Sequence, residues 1–141
     1  MRSQLLLRGT VCSGTGEGKY YMSLERYRKE FKLKLSLAPY PGTLNLKLSS
    51  SEISKLKILK SARGTTIKGF KEGKKYFGAV KCFEAKLKGL NCWLVIPEKT
   101  RYKNITEIIS DEYLRAKLNL KDGMEIEAEV LYSASNSTTI T

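Results

Sequence analysis

The sequence predicts a mainly β domain, a small closed barrel and not a doubly wound sheet. Three observations point there. Apolar and polar residues alternate strictly from Thr43 to Leu48, and within Met124 to Tyr132 the residues Met124, Ile126, Ala128 and Val130 alternate with acids, the period of a half-buried strand. Helical spacing shows in two places only, around residues 24–37 and 111–118, too few for repeated strand–helix–strand units. Finally, 141 residues with 41% hydrophobic content make one ordinary domain and leave no room for two.

Taken in order, Leu5–Cys12 (LLLRGTVC) reads as a strand, followed by the glycine-rich loop Ser13-Gly14-Thr15-Gly16-Glu17-Gly18. Leu24, Tyr27, Phe31 and Leu35 recur at helical spacing with basic residues opposite, and Pro39 and Pro41 stop that helix. In TLNLKL at 43–48, Leu44, Leu46 and Leu48 share one face and Thr43, Asn45 and Lys47 the other. Residues 49–75 are polar, lysine-rich and broken by Gly64, Gly69 and Gly73, which predicts short strands and an exposed hairpin. Two strands follow, Tyr76–Leu87 and Cys92–Ile96, joined by a turn at Lys88-Gly89-Leu90-Asn91 and ended by Pro97. Asp111 is placed to cap a short helix through Leu118. Lys121-Asp122-Gly123 turns into the last strand. Residues 1–132 therefore make one barrel domain, and the polar stretch 133–141 has no core face and is expected to be disordered.

Composition excludes several chemistries. There is no histidine, which removes the Ser-His-Asp triad, the Cys-His dyad and histidine-ligated zinc. Cys12, Cys82 and Cys92 have no CxxC spacing and are expected as small buried side chains. No apolar run is long enough to cross a membrane, and Leu5–Leu7 is too short for a signal peptide. The expected location is the cytoplasm.

The charge balance is informative. Lys and Arg number 26 against 14 acids, a formal net of +12, the footprint of a protein that meets polyanions. Eight basic residues crowd into 55–75 and five into 26–34. One reading is a nucleic-acid surface, with Tyr20, Tyr21, Tyr27, Tyr76 and Phe77 interleaved for stacking. The other is a small phosphorylated ligand in a positive field. Absence of RNP1, KH and zinc-finger patterns weighs against nucleic acid.

Four segments carry candidate chemistry. SGTGEGKY at 13–20 can turn backbone N–H groups toward an anion, with Lys19 adding a point charge. Its glycines fall at every second position, so it is neither a Walker A loop nor GxGxxG. Thr43 and Asn45, two apart on a strand, leave the same face roughly 6.5–7 Å apart. Their oxygens are hard ligands suited to Mg²⁺ and phosphate, or simply polar residues on a solvent face. In IPEKTRY at 96–102, Thr100 can hydrogen-bond a polar ligand together with Glu107 downstream, and YLRAKLNLKDG at 113–123 projects Arg115 from a short helix.

In this order, SGTGEGKYY at 13–21, PYPGTLNLKL at 39–48, IPEKTRY at 96–102, Glu107-Ile108-Ile109 and the LR..LNLKDG stretch at 114–123 resemble the archaeal CTP-dependent riboflavin kinases over about residues 5–132. The resemblance implies a six-stranded cradle-loop barrel that moves the γ-phosphate of CTP to the 5′-hydroxyl of riboflavin, giving FMN and CDP. It places Thr15, Gly16, Glu17, Gly18, Lys19 and Tyr20 at the nucleotide, with Tyr113, Leu114, Arg115 and Ala116 as a second nucleotide-contacting stretch. Thr43 and Asn45 fall on the Mg²⁺ and phosphate positions, and Thr100 and Glu107 on flavin positions. Glu107 is the carboxylate that would orient or deprotonate the ribityl hydroxyl, with Glu17 the runner-up, and Asn45 joins it as a catalytic residue. Residues 49–75 match no motif of the family.

A site without histidine suits phosphoryl transfer, which asks mainly for positioning and charge neutralisation. Tyr40, Tyr102 and Trp93 are candidates for the flavin slot, with barrel packing the plainer role for Trp93. Some relatives carry an N-terminal winged-helix domain; this chain starts at the barrel, so DNA binding by that route is not expected. The expected partners are riboflavin or FMN and CTP or CDP, with no nucleic acid and no membrane, for a monomer. The competing reading is a non-catalytic, basic nucleic-acid-binding β-barrel module.

Overall fold

Six antiparallel strands close on one another in the computed structural model of the chain, which describes residues 2–14, 16–98 and 104–134. In chain order the elements are β1 (Ser3–Cys12), α1 (Glu17–Ser23), α2 (Glu25–Leu35), β2 (Leu44–Lys47), α3 (Ser50–Ser61), β3 (Thr65–Ile67), β4 (Phe70–Glu72), β5 (Lys75–Phe77), β6 (Val80–Leu87), β7 (Leu90–Pro97), β8 (Ile105–Ile109), α4 (Leu114–Lys117) and β9 (Glu125–Tyr132). The barrel runs β6-β7-β8-β2-β1-β9, and β9 pairs back onto β6 with Ala85 opposite Val130. Only the second half of β6 meets β9. Its first half takes β3, with Thr65 opposite Cys82. Closure removes the open edges that an exposed sheet would present.

Alternate residues of each strand fill the interior, as the two-residue period of a pleated strand requires. Leu7, Leu46, Leu87, Leu94, Ile108 and Val130 meet there with no exposed surface. A second core lies on the outside of the same wall. Met22, Tyr27 and Phe31 from α1 and α2, with Phe70 and Phe77 from the β4–β5 hairpin, cover Val80, Cys82, Val95 and Ile109. Tyr27 sits at its centre, edge-on to Phe70 at 4.9 Å, and its hydroxyl donates to the Gly78 carbonyl at 2.6 Å. Burial pushes its phenol up to about 12.

The predicted β barrel is present, with differences of detail. Four helices are described, not two. The glycine-rich segment runs as a loop only to Gly16, whose left-handed backbone starts α1 at Glu17. The helix expected from Asp111 begins at Leu114, with Tyr113 at the cap position. The strand expected over Tyr76–Leu87 is two strands broken at Gly78-Ala79, and the turn after it shortens to Lys88-Gly89. Cys82 and Cys92 are buried as expected, whereas Cys12 is half-exposed; all three are free thiols. Of the expected disordered tail, Ser133 is ordered, its carbonyl accepting from the Arg63 N–H at 2.9 Å, and the stretch 135–141 lies outside the described residues.

The largest correction is α3. Residues 50–61 fold as a helix, because Ile53, Leu56 and Leu59 recur at three-residue spacing and pack on the barrel core. The helix has a definite task. β2 pairs with β1 only over Thr10–Cys12, which leaves backbone groups earlier in β1 without a strand on that side. Side chains of α3 replace it: Glu52 Oε1 accepts from the Arg8 N–H at 2.7 Å, and Lys55 Nζ donates to the Leu6 carbonyl at 2.9 Å.

That strap sets a pH-dependent stability. Burial works to raise the Glu52 carboxyl, but the bonds from the Arg8 N–H and Lys55 outweigh it and hold it below the ordinary glutamate value. A carboxyl whose pKa is lower folded than unfolded stabilises fully above its unfolded value, and that contribution is lost as pH falls through the folded value. Glu52→Ala is expected to cost about 2 kcal/mol at neutral pH, since it strands the Arg8 N–H. In urea titrations the gap between variant and wild type should narrow as pH falls below the ordinary glutamate value. Equal stabilities at neutral pH would rule the strap out.

Candidate active site

Strand register lines up one row of residues across the outside of the barrel wall. Cys82 stands opposite Val95, Val95 opposite Glu107, Glu107 opposite Asn45, and Asn45 opposite Cys12. The flanking Leu44, Leu46 and Ile108 point into the barrel core, so the row faces outward. It passes from the second apolar core, through a carboxylate and an amide, to the strand end where the glycine loop begins. A cleft of about 850 Å³ lies over it.

Thr43, two residues before Asn45, completes the polar centre: its hydroxyl donates to Glu107 Oε1 at 2.9 Å. Burial pushes the Glu107 carboxyl up, the Thr43 bond opposes that rise, and the charge of Glu17 at the start of α1 adds to it. Glu17, itself exposed, thus adds negative charge near the half-buried Glu107, an arrangement that a cation would relieve.

Two glycines explain how the loop gets so close. A methyl group on Gly14 would lie 2.6 Å from Asn45 Nδ2. One on Gly18 would collide with Thr43 Oγ1 and sit 3.0 Å from Glu107 Oε1. The loop and the first turn of α1 rest directly on the polar centre, at a distance only glycine permits.

The polar end of the cleft is closed by α4. Leu114 anchors this short helix in the barrel core. Arg115 Nη2 donates to the Cys12 carbonyl at 3.1 Å and to Asp122 Oδ1 at 2.6 Å, while Ser13 Oγ donates to Asp122 Oδ2 at 2.7 Å. These two donors hold the Asp122 carboxyl below its ordinary value. On the rim, Tyr40 and Tyr113 stack at 4.7 Å and 15°. At the apolar end, Tyr27, Phe77, Val80 and Val95 form the wall. There Glu98 fixes the Gly78-Ala79 break by accepting from the Ala79 N–H at 2.9 Å.

Of the residues singled out by sequence, Gly16, Glu17, Gly18, Lys19, Thr43, Asn45, Glu107, Tyr113, Leu114 and Arg115 line this one cleft. Tyr20 and Ala116 do not; Tyr20 is half-exposed with Lys75 5.6 Å over its ring. Thr15, Thr100 and Tyr102 lie outside the described residues. Tyr40 lines the cleft, whereas Trp93 packs against the second core on the outer face of β7. Sequence reasoning missed Tyr27, the Gly78-Ala79 wall and Asp122. Tyr27 was visible as one member of an apolar helical stripe and as an aromatic among basic residues, and Asp122 only as a turn residue.

A family model for CTP-dependent riboflavin kinases (CTP-dep_RFKase, described as a domain of unknown function, DUF120) matches residues 11–130. The chain belongs to this family. Riboflavin kinases of several archaea are similar to it over most of its length. The one from Thermoplasma acidophilum is 42% identical over 130 residues, covering 92% of this chain and 59% of that protein. The Thermoplasma volcanium protein is 45% identical with the same coverage, and the Archaeoglobus fulgidus protein 47% identical over 126 residues, 89% of this chain and 54% of its own. The chain therefore spans somewhat more than half the length of these riboflavin kinase relatives. The family match runs from the end of β1 into β9, so it takes in every described residue of the cleft.

Proposed function

We propose that this chain is a CTP-dependent riboflavin kinase: it transfers the γ-phosphate of CTP to the 5′-hydroxyl of riboflavin and releases FMN and CDP in the cytoplasm. The observation that supports this best is the cross-strand row, with its glycine loop seated on Thr43, Asn45 and Glu107. A flavin ring suits the apolar end, a triphosphate suits the loop and Arg115, and the reacting groups would meet over Glu107 and Asn45.

Each residue has a part. Backbone N–H groups of the loop with Lys19 would take phosphate charge. Glu107, hydrogen-bonded by Thr43, would orient the ribityl hydroxyl and accept its proton, a task its raised pKa favours. The 5′-oxygen forms the new bond to the γ-phosphorus as the bridging bond breaks and CDP leaves. The second apolar core shields that centre from water on the ring side.

The donor set fits Mg²⁺. Thr43 and Asn45 offer hard neutral oxygens, and among the described residues no cluster of three His, Cys, Asp or Glu could cage a metal alone. Thr43 and Asn45 would hold the ion, with phosphate oxygens and water filling the remaining positions as Mg²⁺ prefers. When bound it would neutralise charge on the transferring phosphoryl group.

An HPLC assay with riboflavin, Mg²⁺ and each of CTP, UTP, GTP and ATP tests this. FMN is expected with CTP and little with ATP. FMN with ATP at the same rate would overturn the choice of donor. No FMN with any donor would overturn the kinase and return weight to polyanion binding by the basic surface.

A further inference from the structure

Asp122 does not line the cleft, yet both segments that shape its polar end hang on it. Ser13, where the glycine loop leaves β1, donates to one carboxylate oxygen at 2.7 Å; Arg115, on α4, donates to the other at 2.6 Å. These two segments are otherwise far apart in sequence and come from different ends of the chain.

The platform under Asp122 is firm. Its turn is tied to β1 by a reciprocal pair of backbone bonds: the Gly123 N–H donates to the Val11 carbonyl and the Val11 N–H to the Met124 carbonyl, both at 2.8 Å. Val11 immediately precedes Cys12, whose carbonyl also accepts from Arg115 at 3.1 Å. The same Nη2 thus holds two acceptors, one on the turn and one on β1, which fixes the plane of the guanidinium and leaves its other N–H groups for a ligand. A bare carboxylate beside a site for polyanions would repel them. Here Arg115, with only 27% of its side chain exposed, neutralises it.

We propose that Asp122 is a positioning residue for the nucleotide: by accepting from Ser13 and Arg115 together, it makes the glycine loop and α4 one rigid phosphate-binding unit. This rests on the reading that the polar end of the cleft takes the triphosphate of CTP. Asparagine has the same shape but no charge and one acceptor oxygen, so Asp122→Asn loses the ion pair with Arg115, while its NH₂ group can still meet the Ser13 hydroxyl, which accepts as well as donates.

The test is calorimetric titration with CTP beside steady-state kinetics, on the full chain. Asp122→Asn should weaken CTP binding and raise KM for CTP about tenfold, with kcat changed less than about threefold. Riboflavin affinity, read by flavin fluorescence, should not move. Asp122→Glu, which keeps two acceptors, should recover part of the loss. Ser13→Ala should shift CTP affinity the same way by about threefold, and adding it to Asp122→Asn should cost less than the sum of the two single changes. If Asp122→Asn does not fold, the Ser13→Ala shift decides.

Wild-type CTP affinity in Asp122→Asn overturns the assignment. So does an equal loss for CTP and riboflavin accompanied by a lowered Tm, the mark of a merely structural role. A wild type that binds CTP but makes no FMN removes phosphoryl transfer while the titration still decides Asp122. A wild type that binds no CTP overturns both.

Discussion

Asn45→Ala is expected to lower FMN formation from riboflavin and CTP by about 10²–10³-fold, the loss typical of removing one preorganised group that meets charge in the transition state. Asn45 stands in the row between Glu107 and the end of β1, with the glycine loop directly upon it. Its amide oxygen would serve the Mg²⁺ and phosphates, and alanine offers nothing in its place. The fold should survive. Leu44 and Leu46, on either side, hold β2 in the barrel, and Asn45 itself faces outward, half-exposed. A Tm close to that of wild type together with lost turnover is therefore the expected pair of readings. Turnover within about threefold of wild type would remove Asn45 from the mechanism.

Gly18→Ala is expected to be as damaging, although it removes no functional group. The new methyl would fall on the Thr43 hydroxyl and press on Glu107 Oε1. Neither can yield easily, because Thr43 is bonded to Glu107 and Glu107 is paired on both sides, with Asn45 and with Val95. The first turn of α1 must lift instead, carrying the loop away from the polar centre. Misplacement on the order of 1 Å at such a site costs about 100-fold in rate. Alanine favours helix over glycine by about 1 kcal/mol, so α1 itself gains propensity, and the loss should appear in kcat and not as unfolding. A Gly18→Ala enzyme of normal activity would show that the loop stands off the row in the working state.

Much of this was legible from local pattern. Strict alternation in TLNLKL put Thr43 and Asn45 on one face and the leucines on the other, as observed. That Glu107 stands against both was not legible, because register between β2 and β8 is set by the closed barrel and not by either strand alone. The α3 helix was hidden by its own lysines. Lys55-Leu56-Lys57-Ile58 alternates like a strand, yet Ile58 is half-exposed and the buried pair is Leu56 and Leu59. Burial follows the three-residue spacing because α3 must cover the uncovered part of β1. Asp122 was legible as a turn residue only, since its partners arrive from 109 residues before it and 7 residues before it.

The wall formed by β7 and β8 is covered on both faces, by the barrel interior on one side and by the aromatic core of α1, α2 and the hairpin on the other. Such strands exchange their amide hydrogens only when the whole domain opens, whereas short surface helices open far more often. Amide hydrogens of β7 and β8, the mount of Glu107, are therefore expected to exchange far more slowly than those of α1, which bears Glu17, Gly18 and Lys19, a contrast that hydrogen exchange would read directly.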